Sequence, residues 1–172
     1  MTGQQVPHDR PMRIRPMLAG DIARVLQISA GLPHAPHWPI AAYQAALNAN
    51  SEPHRIALVA ETLQPDAPVP GTVVGFVVAS RVAGEAELES IAVAAEAQRR
   101  GSGGQLLNHL IAAVRELWAT RINLEVRASN YSALRFYKRH GFMETGKRVG
   151  YYADPVEDAV LLSLALGGQK MG

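Results

Sequence analysis

The stretch Gln98-Arg99-Arg100-Gly101-Ser102-Gly103-Gly104 joins the apolar run Ile91-Ala92-Val93 to a helical-looking segment that begins at Gln105. A helix entered through glycines presents backbone N–H groups without intrahelical partners, together with the positive end of its dipole. Glycine lets a ligand approach those groups, and Arg99 and Arg100 add charge beside them. The chemistry this suits is the holding of a phosphate or pyrophosphate where a helix starts near Ser102. Taken alone, the glycines are equally well explained as a tight turn. No Lys-Ser or Lys-Thr pair follows them, which weighs against a Walker A loop. They also follow an antiparallel meander rather than the first strand of a parallel unit, which weighs against a dinucleotide fingerprint.

Several elements must position this corner. Met12–Met17 alternates as a first strand, and Asp21 stands where it could cap a helix carrying Ile22, Val25, Leu26 and Ile28. A proline-broken loop, Gly31–Pro39, precedes a short helix over 40–48. Strands are expected over 54–62, 72–80 and 86–93, with an exposed proline-rich turn at 64–71 and a turn at Gly84. After the glycines, Leu106, Leu107, Leu110, Ile111, Val114 and Leu117 recur on one helical face. In the strand 121–128, Ile122, Leu124 and Val126 alternate with Asn123, Glu125 and Arg127. Asn130 can cap the helix 131–140, which Gly141 ends, and two strands close the chain. The fold class is α/β with a mixed sheet and helices on both faces.

Composition sets the limits. The chain has 172 residues, 48% of them hydrophobic and 19% charged, which suits one domain over 11–172 behind a frayed tail of residues 1–10. A formal net charge of +2 does not demand a nucleic-acid partner, and Arg99, Arg100 and the basic Lys138-Arg139-His140 run give that reading little support. The absence of cysteine excludes disulfides, thiolate metal sites and a cysteine nucleophile. No apolar run approaches the ~20 residues of a membrane span, so a cytoplasmic location without membrane contact is expected. His34 and His37 have a spacing seen in metal sites but lack further ligands, so no metal is expected.

At this point the residues reach a resemblance. The segment from Ile91 to Leu107 resembles the acetyl-CoA-binding motif of the GNAT acyltransferases, Gln/Arg-x-x-Gly-x-Gly/Ala, with Gln98, Gly101 and Gly103 in the signature places. The runs Leu124–Phe142 and Arg148–Leu164 resemble the RimI-like ribosomal-protein-alanine N-acetyltransferases of that family, as does the loop Pro33–Pro39. The proline common shortly after the Ile-Ala-Val run is absent, with Ala94 and Ala95 there instead. The resemblance implies a mostly antiparallel sheet splayed between its fourth and fifth strands. It further implies that amides from Arg99 to Gly104 hold the pyrophosphate of acetyl-CoA, while Ile91, Ala92 and Val93 pair with its pantetheine arm as another strand would.

Acetyl transfer to an amine needs a neutral amine, support for a developing oxyanion and a proton for the leaving thiolate. The resemblance assigns the proton to Tyr137, which by spacing alone reads as a core tyrosine in line with Ala133. It assigns deprotonation of the amine, directly or through water, to Glu125, which by pattern alone is a solvated residue or a partner for Arg127. Glu87 and Glu89 compete for that role or orient the substrate amine. Asn130 is a helix cap that in this family also touches the cofactor arm. Trp38, Tyr151 and Tyr152 are expected to wall the substrate groove, or else simply to pack. An α-amine titrates near ~7.8 and a lysine near ~10.4, a difference of roughly 3.5 kcal/mol that a modest base need not supply. The expected acceptor is therefore a protein N-terminus, with lysine or a small amine as the alternative, and the enzyme is expected as a monomer or homodimer. A non-catalytic acyl-CoA sensor is the remaining reading.

Overall fold

The computed structural model describes residues 11–50, 52–63 and 71–167. The N-terminal tail and nearly all of the proline-rich turn lie outside them. The strands are β1 (Met12–Pro16), β2 (His54–Thr62), β3 (Thr72–Val82), β4 (Glu85–Val93), β5 (Arg121–Arg127), β6 (Met143–Ala153) and β7 (Val156–Ala165). The helices are α1 (Ile22–Ala30), α2 (Ile40–Ala46), α3 (Ser102–Glu116) and α4 (Tyr131–Arg139). The sheet runs β1-β2-β3-β4-β5-β7-β6. Every neighbouring pair is antiparallel except β4 and β5, which lie parallel.

Two apolar layers cover the sheet. On one face Leu106, Leu107, Leu110 and Val114 of α3 pack with Val77, Ile122, Leu124 and Tyr137. On the other, Val25 and Ile28 of α1 and Tyr43 of α2 pack on Val59, Phe76 and Val78. A strand covered on both sides has no reason to alternate. Accordingly, Val73 to Ser80 of β3 is buried without interruption. Each fully buried leucine of α3 contributes roughly 1.5–3 kcal/mol.

Two features of the sheet build a cleft. β4 and β5 are paired only at Ala86–Ile122 and Glu87–Asn123, after which they diverge. β4 stays paired with β3 as far as Val93 and β5 with β7 as far as Arg127, so the edges that the two strands turn toward each other are both left without a partner. Further along, Val78 pairs with Ser90 but Ala79 with Leu88, so Glu89 is the extra residue of a β-bulge. The bulge reverses the facing of β4. Ala86 and Leu88 belong to the α3/α4 layer, whereas beyond the bulge Ala92 belongs to the α1/α2 layer.

One local expectation is corrected. Asp21 precedes α1, but its side chain does not cap that helix. Its carboxylate instead accepts the Leu18 N–H at 2.8 Å and both terminal nitrogens of Arg15 at 2.7 and 2.9 Å. A guanidinium offers a charge-assisted fork, which outcompetes a single backbone N–H. Among the described residues no helix is long and apolar enough to cross a membrane.

Candidate active site

The glycine-rich corner does start a helix. Gly101 is the N-cap of α3 at φ +82°, and Arg99 also takes a left-handed conformation at φ +62°. The first bond of the helix runs from the Gln105 N–H to the Gly101 carbonyl at 3.0 Å. The amides of Gly101 to Gly104 therefore point out of the helix end with no intrahelical carbonyl to meet. Arg99 and Arg100 are exposed beside them and form no ion pair among the described residues. Two side chains brace the turn: Gln98 donates from Nε2 to the Val93 carbonyl at 3.0 Å, and Ser102 donates from Oγ to the Ala97 carbonyl at 3.4 Å.

The three glycines do different work. A Cβ on Gly101 would meet nothing within 4 Å, so its need for glycine is conformational. A Cβ on Gly103 would lie 3.4 Å from Phe136, and one on Gly104 would lie 3.2 Å from Nε2 of His140. Only at Gly104 is the approach tighter than an ordinary contact, so it is Gly104 that lets α3 pass close to the end of α4, a packing role that sequence spacing does not reveal. Asn130 caps α4 as expected, accepting the Ala133 N–H at 3.1 Å.

Tyr137 lies on α4 within the α3/α4 layer, 6% exposed. Its ring packs edge-on against Phe136 and Phe142, each at 5.3 Å. Burial pushes its hydroxyl well above the ordinary tyrosine range, so it stays protonated at neutral pH. Ile91 and Val93 of β4 and Val126 of β5 belong to the same cluster. Tyr137 therefore approaches the diverging strands from the α3/α4 side.

The carboxylates stand on the opposite face. Ile122, Leu124 and Val126 point into the α3/α4 layer, so Glu125 between them points away. Glu87 faces the same way, between the buried Ala86 and Leu88. Loss of hydration pushes the Glu87 carboxyl above its ordinary value, and the charges of Glu125 and Glu89 push it further. The Glu125 carboxylate, as a hydrogen-bond acceptor and a nearby negative charge, raises the Tyr151 hydroxyl.

The ion pairs depart from the pattern expected along β5. Glu125 does not pair with Arg127 but with Arg148 of β6, Nη1 to Oε1 at 2.8 Å. Arg127 binds Glu157 at 3.2 Å and stacks over Tyr152 at 4.1 Å. Glu125 and Arg127, two positions apart, share a face of β5, but Glu157 of β7, two residues from the Ala159 that pairs with Arg127, takes its guanidinium. Glu89 is held by Arg55 through two bonds of 2.9 and 3.1 Å. Arg55 in turn lies 5.9 Å over the ring of Trp38, which packs on Tyr43 at 5.3 Å. Trp38 is thus tied to the α1/α2 layer and linked to the bulge. Arg55 and Arg148 carry no local sequence signal, since both partners are brought from distant strands.

His34 and His37 are exposed on the α1–α2 loop, and no group of three or more His, Asp or Glu side chains could hold a metal among the described residues. The arrangement as a whole is a cleft between parallel strands. It has an anion-receptive helix end and a buried hydroxyl on one side, and a carboxylate pair walled by tyrosines on the other.

Comparison with known proteins places this geometry in a family. The model of the acetyltransferase (GNAT) family matches residues 24–142, and the chain belongs to that family. It is 39% identical over 98 residues to the [ribosomal protein bS18]-alanine N-acetyltransferase of Escherichia coli (strain K12), covering 56% of this chain and 66% of that relative. The chain thus spans slightly less than two thirds of that relative's length. It is 42% identical over 78 residues to an N-alpha-acetyltransferase of Sulfurisphaera tokodaii, covering 45% of this chain and 46% of the relative. The crystal structure of the ribosomal-protein-S18-alanine N-acetyltransferase from Escherichia coli superimposes with a TM-score of 0.74 at 27% identity, covering 94% of this chain and 99% of that one.

Proposed function

We propose that this member of the acetyltransferase (GNAT) family moves the acetyl group of acetyl-CoA onto the N-terminal α-amine of a protein, of the ribosomal-protein-alanine type. The observation that carries the reading is the divergence of β4 and β5 after Glu87–Asn123, with a cradle on one side and carboxylates on the other. The names of the Escherichia coli and Sulfurisphaera relatives support an N-terminal acceptor.

The residues present fit acetyl-CoA. The amides of Gly101 to Gly104, with Arg99 and Arg100, suit a pyrophosphate, and the unpaired edge of β4 at Ile91, Ala92 and Val93 suits an extended amide-bearing arm. Acetyl-CoA supplies the acetyl group as a thioester. Asn130, at the mouth of α4, is the further contact for its arm.

The chain's own groups then manage protons. Glu125 receives the acceptor's ammonium, with Glu87 beside it. The raised carboxyl of Glu87, on the same face as Glu125, suits it to take the proton that the amine gives up. Glu89, locked to Arg55, orients the groove with Trp38 and does not take the proton. Tyr137 holds its proton in the buried layer and gives it to the departing sulfur from the opposite face. Tyr151 and Tyr152 wall the acceptor side.

The test is to incubate the full chain with acetyl-CoA and a panel of amines, measuring CoA release and acceptor mass. The panel holds peptides beginning with alanine, serine or methionine, N-terminally blocked peptides with an internal lysine, and small polyamines. Acetylation of free N-termini with alanine preferred is the expected result. Modification of lysine or polyamines alone would move the function to those acceptors. Tight acetyl-CoA binding with every acceptor unmodified would replace the enzyme by a sensor.

A further inference from the structure

Glu125 already has a cation. Arg148 places Nη1 2.8 Å from its Oε1, on the carboxylate that the proposed chemistry offers to the acceptor amine. The Arg148 side chain is 54% exposed and that of Glu125 only 20%. The arginine therefore sits on the solvent side of the carboxylate, where an incoming amine must arrive.

Its attachment to the sheet is loose on one side. The ladder between β6 and β7 passes from Arg148–Ala159 directly to Tyr152–Glu157, so Val149 to Tyr151 have no partner in it. Gly150 within that gap takes φ +60° and is held by its N–H on the Asp158 carboxylate at 2.9 Å. Arg148 also lies 5.2 Å over the ring of Tyr151, an exposed side chain that can keep a guanidinium after it leaves the carboxylate. The other charged groups of the cluster are Glu87 and Glu89 on β4, and the latter is taken by Arg55.

We propose that Arg148 occupies on Glu125 the place of the acceptor's ammonium, and that each acceptor binds by displacing it; this rests on the reading of an amine acceptor given above. Guanidinium and ammonium are both cationic N–H donors, and they compete for the same carboxylate oxygen. With Arg148 in place, Glu87 and Glu125 share one compensating charge. Arg148 is thus a specificity-determining residue: it sets a threshold that an amine passes only if its peptide makes further contacts in the groove.

The test measures binding without turnover. The full chain, saturated with CoA, is titrated calorimetrically with a hexapeptide beginning with alanine and with the same peptide lacking its terminal amine. An exposed ion pair contributes a factor of up to about fivefold, so Arg148→Ala is expected to bind the free-amine peptide about threefold to fivefold more tightly than wild type. Its affinity for the des-amino peptide should stay unchanged, and Arg148→Lys, which retains a cation, should fall between. Weaker or unaltered binding of the free-amine peptide by Arg148→Ala would overturn the proposal, as would an equal gain for both peptides. A wild-type chain that binds the two peptides equally would overturn the amine-acceptor reading itself, and the proposal with it.

Discussion

Replacing Tyr137 with Phe separates chemistry from packing. The ring is buried between Phe136 and Phe142 at 5.3 Å from each, and phenylalanine keeps both contacts. The fold should therefore lose less than about 1 kcal/mol, the net worth of a typical hydrogen-bonding group. The hydroxyl, however, is the proton source in the proposed mechanism. General acid catalysis contributes typically ~10²–10⁴-fold, or roughly 3–5 kcal/mol of barrier. Single-turnover acetylation of an alanine-first peptide should slow by that factor while acetyl-CoA affinity changes by less than about twofold. Burial raises this hydroxyl above its ordinary value near ~10, so it should hold its proton throughout the assay range and impose no alkaline limb below about pH 9. Two results would refute the reasoning: a Phe variant within about twofold of wild type, or an alkaline limb near neutrality that the variant abolishes. Tyr137→Ala is the wrong test, because emptying the site costs about 3–5 kcal/mol and confounds folding with catalysis.

Glu87 should set the acid limb of kcat/KM. Its carboxyl is raised, so activity should climb with pH through a value above the ordinary glutamate range, and Glu125→Gln should move that limb to lower pH by removing a like charge. An unmoved limb in a pH–rate profile would dissociate the two carboxylates. Gly101→Ala meets no atom within 4 Å but must take φ +82°, so a melting curve should report about 1–2 kcal/mol of strain and titration a weaker acetyl-CoA affinity, whereas Gly103→Ala, in ordinary contact with Phe136, should keep its stability. Far from the cleft, Glu61 is 1% exposed, and hydrogen bonds from Arg15, then Arg13, hold its carboxyl below the ordinary range. Its contribution is present above the unfolded value near ~4.3 and lost as pH falls through the lower folded value; Glu61→Gln should cost about 3 kcal/mol at pH 7 by denaturant titration.

The order of elements was legible in the sequence because each is written in local periodicity. The alternation of Ile122, Leu124 and Val126 and the helical spacing of Leu106, Leu107, Leu110 and Val114 match the observed strand and helix. The glycine-rich helix start was legible for the same reason: a helix end, its glycines and its arginines are contiguous, and backbone amides need no distant partner to be exposed. Asn130 likewise caps a helix one residue away. What only the tertiary structure decided is which charges meet. Arg148 rather than Arg127 reaches Glu125, and Arg55 takes Glu89, because strand register and a single bulge bring these side chains together. Gly104 acquires a packing role only once the end of α4 lies against α3. An ion pair depends on separations of a few ångströms across the sheet, and no pattern along one strand encodes which neighbour arrives at its face.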